Sequence, residues 1–311
     1  MGYRFLTCDV FTDRRFGGNQ LAVLPDASGL TDAQMQQITR EFNYSESTFV
    51  LPSSNGSTRK VRIFTPAKEI PFAGHPNVGT AFVLASIGDL GEIGGETTVT
   101  FEEQAGAVPV VIHRHARGFR CVLSAPEKLS VGATLDPAVI ASAISVPPSD
   151  IVTTTHPPQV ASVGLPFVFA EVRDRGVLAK ARLNMAGFDA VKAEGVHPDI
   201  LFYARTGAPA TRSLRRGVDS DDEVDIRARM FAPYDGVMED PATGSANCAL
   251  GAMLAGYDPQ RDGTITYRIA QGVEMGRPSL LIAEADKKAG HVVAARIGGD
   301  SVMVSEGEIT V

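Results

Sequence analysis

Two short stretches of this chain carry residues suited to moving a proton at a bound anion. Residues 69–77 read EIPFAGHPN and residues 239–247 read EDPATGSAN. Each puts a glycine where a helix would begin: Gly74-His75 ahead of Pro76, and Gly244-Ser245 ahead of the small apolar run Ala246 to Leu254. The first N–H groups of a helix lack partners inside it, and with the helix dipole they attract an anion. His75 is then either a proton-transfer group or an N-cap. Asp240 either orients a proton carrier or is an ordinary turn residue. Ser245 is a nucleophile or, more mildly, an N-cap hydroxyl that also meets ligand, because no Gly-x-Ser-x-Gly elbow surrounds it. Glu46 enters a strand after a tight turn (SEST, 45–48). It is a solvated surface carboxylate unless burial raises its pKa.

Other chemistries find less support. His113 and His115 lie two apart on one strand face without an evident third ligand, so both are read as surface residues and no metal site is expected. Cys8, Cys121 and Cys248 are scattered, and no CxxC pair occurs. Reduced thiols in a cytoplasmic protein are expected, with Cys248 buried in packing. Lys and Arg total 29 against 36 Asp and Glu, a net charge of −7, which argues against general nucleic-acid binding. The compact basic cluster Arg212, Arg215 and Arg216 runs straight into Asp219, Asp221, Asp222 and Glu223 and reads as a solvated hairpin tip. The opening MGYRFLTCDVF lacks the apolar run of a signal peptide, and no stretch nears the roughly 20 apolar residues of a membrane span.

The elements that must position these residues are mainly strands. Short β-branched or aromatic runs at 3–10, 20–24, 46–51, 60–64, 97–101, 107–114 and 119–124 are bounded by turn residues, and similar runs recur at 166–172, 200–205, 224–231, 264–269, 280–282, 291–297 and 302–304. Four helices are expected. The first has Thr31 as N-cap, Gln34 closing a capping box, and Leu30 with Met35 as a hydrophobic staple. The second follows Gly74-His75, with Pro76 in its first turn, and ends at Gly88. A third lies near 136–145. The fourth starts with Ser245 as N-cap, and its all-round apolar composition predicts protein on every side. At a shift of 170, Glu69, Pro71, Gly74 and Asn77 coincide with Glu239, Pro241, Gly244 and Asn247, and VRIFTP (61–66) resembles ARMFAP (228–233). The shared order of strand, Arg-x-Phe-x-Pro, loop and helix predicts a duplicated α+β unit with two helix starts at one cleft.

Several long motifs in order then resemble a known family: GNQLAVL (18–24), SEST (45–48), RIFTPAKEIPFAGHP (62–76), GLPFVFAEV (164–172), GVMEDPATGSANCALG (236–251) and QGVEMGRPS (271–279). The chain resembles the PhzF phenazine-biosynthesis-like isomerases, relatives of diaminopimelate epimerase. The resemblance implies an α+β fold of two similar halves, each a curled, mostly antiparallel sheet or barrel around a central helix, with the active site in the cleft between them. The halves are expected at 1–117, which a strand from 298–311 could complete, and at 118–297. It implies cofactor-free acid–base isomerisation of a small carboxylate such as trans-2,3-dihydro-3-hydroxyanthranilate, and a homodimer. It makes Glu46 the main acid–base residue, with His75 and Asp240 beside it, and puts Asn19, Gly74, Gly244 and Ser245 at the substrate. The epimerase relatives use two cysteines at positions that here are Gly74 and Thr243, so a two-thiol racemase is disfavoured. The rival readings are an amino-acid racemase or epimerase on the same fold, against which the cysteine positions argue, and a non-catalytic small-carboxylate-binding protein. Asn247 stands where many relatives carry His.

Overall fold

The computed structural model describes residues 2–207 and 224–311; the basic and acidic run expected at a hairpin tip lies outside them. The described chain forms two compact units, Met1–Ser124 with Gly298–Val311, and Ala125–Ile297.

The first unit contains β1 (Gly2–Val10), β2 (Asn19–Leu24), α1 (Asp32–Phe42), β3 (Glu46–Leu51), β4 (Arg59–Phe64), β5 (Glu69–Ile70), α2 (Gly74–Ser86), β6 (Glu96–Glu103), β7 (Gly106–His115) and β8 (Gly118–Ser124). β8 pairs with β7 from Gly118 to Leu123, so the first unit runs past the expected residue 117, to Ser124. The second unit contains β9 (Ser130–Thr134), α3 (Pro137–Ala143), β10 (Ile151–Val152), β11 (Gln159–Ser162), β12 (Pro166–Val172), α4 (Arg175–Lys180), α5 (Met185–Ala193), β13 (Ile200–Arg205), β14 (Ile226–Ala232), β15 (Val237–Asp240), α6 (Gly244–Tyr257), β16 (Gly263–Gln271) and β17 (Ser279–Lys288). The runs expected at 291–297 and 302–304 are one strand, β18 (His291–Thr310), whose later residues pair with β1.

The duplication is visible in the hydrogen-bond ladders. In the first unit β2 and β3 are parallel, β3 and β4 antiparallel, β4 and β6 parallel, β6 and β7 antiparallel. In the second unit β12, β13, β14, β16 and β17 repeat that order and those directions. Parallel neighbours need a crossover. α1 and α2 supply the crossovers in the first unit; α4 with α5, and α6, supply them in the second. The strand ring of the first unit closes through β7–β8, β8–β18, β18–β1 and β1–β2. α2 lies inside it, touching β1, β2, β3, β7 and β8.

The two central helices are apolar all round because protein surrounds them. Twelve of the 13 residues of α2 and 11 of the 14 of α6 are buried. α1 lies outside and is amphipathic. Its Thr31 capping box with Gln34 is present, Leu30 and Met35 share one core with Ile38, Phe49 and Phe64, and Asn43 ends it in the left-handed region. α4 and α5 have no counterpart among the expected helices. They span six and nine residues and contain Gly176 and Gly187, too short a run for helical periodicity to stand out. Their Val177, Leu178, Phe188 and Val191 nevertheless pack with Ile200 and Phe202 into the outer core of the second unit.

One ion pair recurs in both units. Arg62 grips both oxygens of Glu69 at 2.7 and 2.6 Å and lies over the Phe64 ring. Arg229 grips Glu239 at 2.8 and 2.8 Å and lies over Phe231. Each pair ties the strand before the loop to the short strand leading to a central helix, and bidentate charge-assisted bonds fix that geometry. Arg229 also donates to the carbonyls of Leu178 and Ala181 at the end of α4.

Candidate active site

In the first unit, Gly18 sets up the site's polar floor. It has φ +63°, and a Cβ there would sit 2.3 Å from the Val10 carbonyl oxygen. Only glycine fits, and the turn delivers Asn19 into the interior, 2 % exposed. The Asn19 amide nitrogen lies 3.5 Å from His75 Nδ1, and its Oδ1 accepts from the Ser45 hydroxyl at 3.1 Å. Glu46 Oε2 lies 3.6 Å from the same His75 nitrogen. Three expected residues therefore converge here: Asn19, Glu46 and His75. Ser45 joins them, although no sequence signal singled it out beyond its place in SEST.

Glu46 is not a solvated carboxylate. Its side chain is 17 % exposed, and Oε2 is buried with no hydrogen-bond donor among the described residues. Burial pushes its pKa up to about 7, against a smaller opposing pull from the Ser45 hydroxyl. A carboxyl with that pKa exchanges a proton readily at neutral pH. The β-sheet register gives it a counterpart. Ser47 pairs with Phe64, and Ile200 with Phe231, so Glu46 and the residue before Ile200, Asp199, occupy equivalent positions.

The helix starts differ from expectation in one respect. His75 and Ser245 are not N-caps. Those positions belong to Ala73 and Thr243, and neither makes a side-chain cap bond. Alanine has no side chain to do so. Thr243 instead turns its hydroxyl onto Asp240 Oδ2 at 2.5 Å. Gly74 and Gly244 each open a helix whose first N–H groups receive no side-chain cap, with His75 and Ser245 second in the helix. This is the arrangement that leaves amide hydrogens available to an anion.

In the second unit the loop before α6 is organised by Gln271, a residue noted only as part of the QG motif. Gln271 Oε1 accepts from Thr243 N at 3.2 Å and from the Asn247 amide at 2.6 Å; Nε2 donates to the Asp240 carbonyl at 2.6 Å and to the Thr243 hydroxyl at 3.1 Å. Gly272, at φ +73°, lets the chain turn there, since a Cβ would meet the Pro241 and Arg277 carbonyls at 2.5 Å. Asn247, the departure from His, also donates to the Thr243 carbonyl at 2.9 Å. The equivalent Asn77 donates to the Ala73 carbonyl at 3.0 Å. Asparagine at this place therefore ties the first turn of each central helix to its cap residue.

The remaining candidates sort clearly. His113 and His115 lie on the β6–β8 surface opposite Glu96 and Asp300. Cys8, Cys121 and Cys248 are free and buried, and burial pushes all three thiols up, Cys248 to about 12. They are packing residues without nucleophilic thiolate. Although spacing suggested no metal ligands, folding brings His197, Asp199 and Asp235 together with one ligand atom from each within 4.8 Å of the others. No helix among the described residues is long and apolar enough to cross a membrane.

A family model described as "Phenazine biosynthesis-like protein" matches residues 8–307. An isomerase from Mesorhizobium japonicum is 36 % identical, over 98 % of each chain. The trans-2,3-dihydro-3-hydroxyanthranilate isomerase of Pseudomonas fluorescens is 33 % identical, over 99 % of each. A Bacillus anthracis phenazine biosynthesis protein of the PhzF family superposes with a TM-score of 0.85 at 25 % identity, covering all of both chains. With a duplicated α+β fold, matches end to end and relatives named as isomerases, this chain belongs to the phenazine biosynthesis-like (PhzF) family of isomerases.

Proposed function

We propose that the protein moves a proton within a small carboxylate-bearing metabolite, of the class of trans-2,3-dihydro-3-hydroxyanthranilate, without a cofactor. The observation that carries this reading is Glu46: a buried carboxyl with its pKa near 7, beside His75 Nδ1. Glu46 takes the proton from carbon and returns it elsewhere on the substrate. His75, held by Asn19, is the polar partner that stabilises the charge as it develops. The amides opened by Gly74 and Gly244 bind the carboxylate, Ser245 adds a hydroxyl, and Asp240 orients the reacting group. This reading also has the enzyme work in the cytoplasm as a homodimer.

The absence of thiols at Gly74 and Thr243, with every cysteine buried, weighs against a two-thiol racemase. The test is incubation with trans-2,3-dihydro-3-hydroxyanthranilate and a panel of cyclic and amino carboxylates in heavy water, read by proton NMR. Deuterium should enter a product that is a structural isomer of its substrate. Inversion of an amino acid's α-carbon would instead favour an epimerase, and ligand binding with no exchange would favour a non-catalytic protein.

Turnover is expected to survive exhaustive chelation. Loss restored by zinc or magnesium would overturn metal independence and direct attention to His197, Asp199 and Asp235.

A further inference from the structure

The repeated ladder assigns a partner to Gln271. Arg59 pairs with Phe101 across β4 and β6, and Ile226 with Ile269 across β14 and β16. Arg59 lies three residues before Arg62, and Ile226 three before Arg229, the two members of the recurring ion pair. Counting two residues on along β6 and β16, Glu103 stands where the second unit has Gln271. The surroundings match as well. Asn77 is the polar side chain beside the Glu103 carboxyl, at the place where Asn247 bonds Gln271, and the Ala105 amide donates to the Pro71 carbonyl as the Ser279 hydroxyl donates to that of Pro241.

The two sites differ in one atom. Gln271 has a hydrogen-bearing nitrogen and uses it to hold the loop before α6. Glu103 is 8 % exposed, and neither of its oxygens makes a hydrogen bond; nor does Asn77 Oδ1. The Asn77 amide cannot simply be turned round, because its nitrogen is needed by the Ala73 carbonyl. Three buried acceptor oxygens without a hydrogen among them are costly, and a proton on one carboxyl oxygen makes it a donor to Asn77 Oδ1, relieves those two and removes the buried charge. A protonated glutamic acid has the shape and the donor–acceptor pattern of glutamine.

We propose that Glu103 is kept as the neutral acid and, donating to Asn77, is the positioning residue for the helix start that carries Gly74 and His75. Like Gln271 it ties the first-turn asparagine of a central helix, here as donor to Asn77 where Gln271 accepts from Asn247. Burial pushes its pKa up to about 8, and Asn77 is the one opposing influence. The charged groups near this end are otherwise engaged. Glu102, on the other face of β6, bonds Ser53 and Ser54 and faces Lys60; Glu69 is paired with Arg62; Glu46 faces His75. Ionisation of Glu103 therefore puts an unpaired charge against Asn77 and loosens the first turn of α2. The folded protein holds a proton that the unfolded chain loses at the ordinary carboxylate pKa. The resulting stabilisation is complete below that value and is lost as pH rises to about 8.

The role of α2 in the site rests on the function proposed above, so the test is built around readouts that need no substrate. Thermal unfolding of wild type and Glu103→Gln is followed from pH 4 to pH 9, with the His75 imidazole resonances. The two proteins should melt within a degree or two of each other at pH 4. At pH 9 the variant should melt at least about 4 °C higher. The wild-type His75 resonances should show a step near pH 8 that the variant lacks, while the Glu46 step near 7 persists in both. A melting difference that does not change with pH, or a step near 8 surviving in Glu103→Gln, overturns the proposal. If turnover is available, Glu103→Gln should keep wild-type kcat and extend it to higher pH, whereas Glu103→Ala should lose at least tenfold at all pH values. If no turnover is found, the isomerase reading fails alone and the melting and resonance results still decide the role of Glu103.

Discussion

Replacing Glu46 by Gln is expected to lower turnover by about 10²–10⁴-fold while folding and ligand affinity change little. The substitution keeps the length and shape of the side chain and removes the group that titrates. For wild type, kcat/KM should rise as pH passes through about 7, the value to which burial lifts Glu46, because the base must be ionised to accept a proton. The same shift acts on stability with the opposite sign. The neutral acid is the form the folded protein prefers, so its stabilisation is complete below the ordinary carboxylate pKa and is lost as pH climbs through about 7. Activity and stability should therefore move in opposite directions over this window, and Glu46→Gln should flatten the activity profile and remove the Glu46 part of the stability loss, leaving the fall that Glu103 contributes up to about 8. Rates and deuterium uptake from heavy water on a turned-over substrate make the comparison. Near-wild-type turnover by the variant would remove Glu46 as the proton carrier.

Truncating Arg229 is expected to destabilise the second unit by about 3 kcal/mol or more, the usual result of leaving one member of a mostly buried pair without its partner. Arg229→Leu strands Glu239, whose side chain is 19 % exposed, and leaves the Leu178 and Ala181 carbonyls without their buried donor. Arg62→Leu should cost less, because Arg62 itself is 18 % exposed against 6 % for Arg229 and water can reach the groups left behind. Denaturant unfolding measures both. The double variant Arg229→Leu with Glu239→Leu should recover part of the loss, since no buried charge then remains. If the single and double variants are equally destabilised, the pair is not the source of the cost.

Much of the molecule is written locally. The Thr31–Gln34 capping box, the Leu30–Met35 staple and the exit at Asn43 involve residues within a few positions of one another, so their chemistry is visible in order along the chain. Most strands were legible for the same reason, and the repeated Arg-x-Phe-x-Pro, loop and helix announced the duplication that the paired ladders display. What escaped was short or relational. β5, β10 and β15 are two to four residues long and exist only through the strands beside them, while α4 and α5 are defined by the core they cover. The helix caps fell two residues earlier than Ser245 and His75 because cap position depends on where the preceding loop is tied, and before α6 Gln271 ties it from a distant strand.

For the site, the sequence alone determined the residue types: a glutamate after a turn, a histidine and a serine at two helix starts, an aspartate before the second, and no thiol at either. Tertiary structure decided their chemistry. Glu46 could carry a proton only if water were kept from it, and whether water is excluded depends on the packing of β2, β3 and α2, elements far apart along the chain. That packing supplies the desolvation that raises Glu46 and brings His75 Nδ1 within 3.6 Å of it. The same holds for His197, Asp199 and Asp235, which no spacing rule connects, and for Glu103, whose likeness to Gln271 appears only when the two ladders are laid in register. Residue identity is a property of the chain; dielectric surroundings and the distance between groups are properties of the fold.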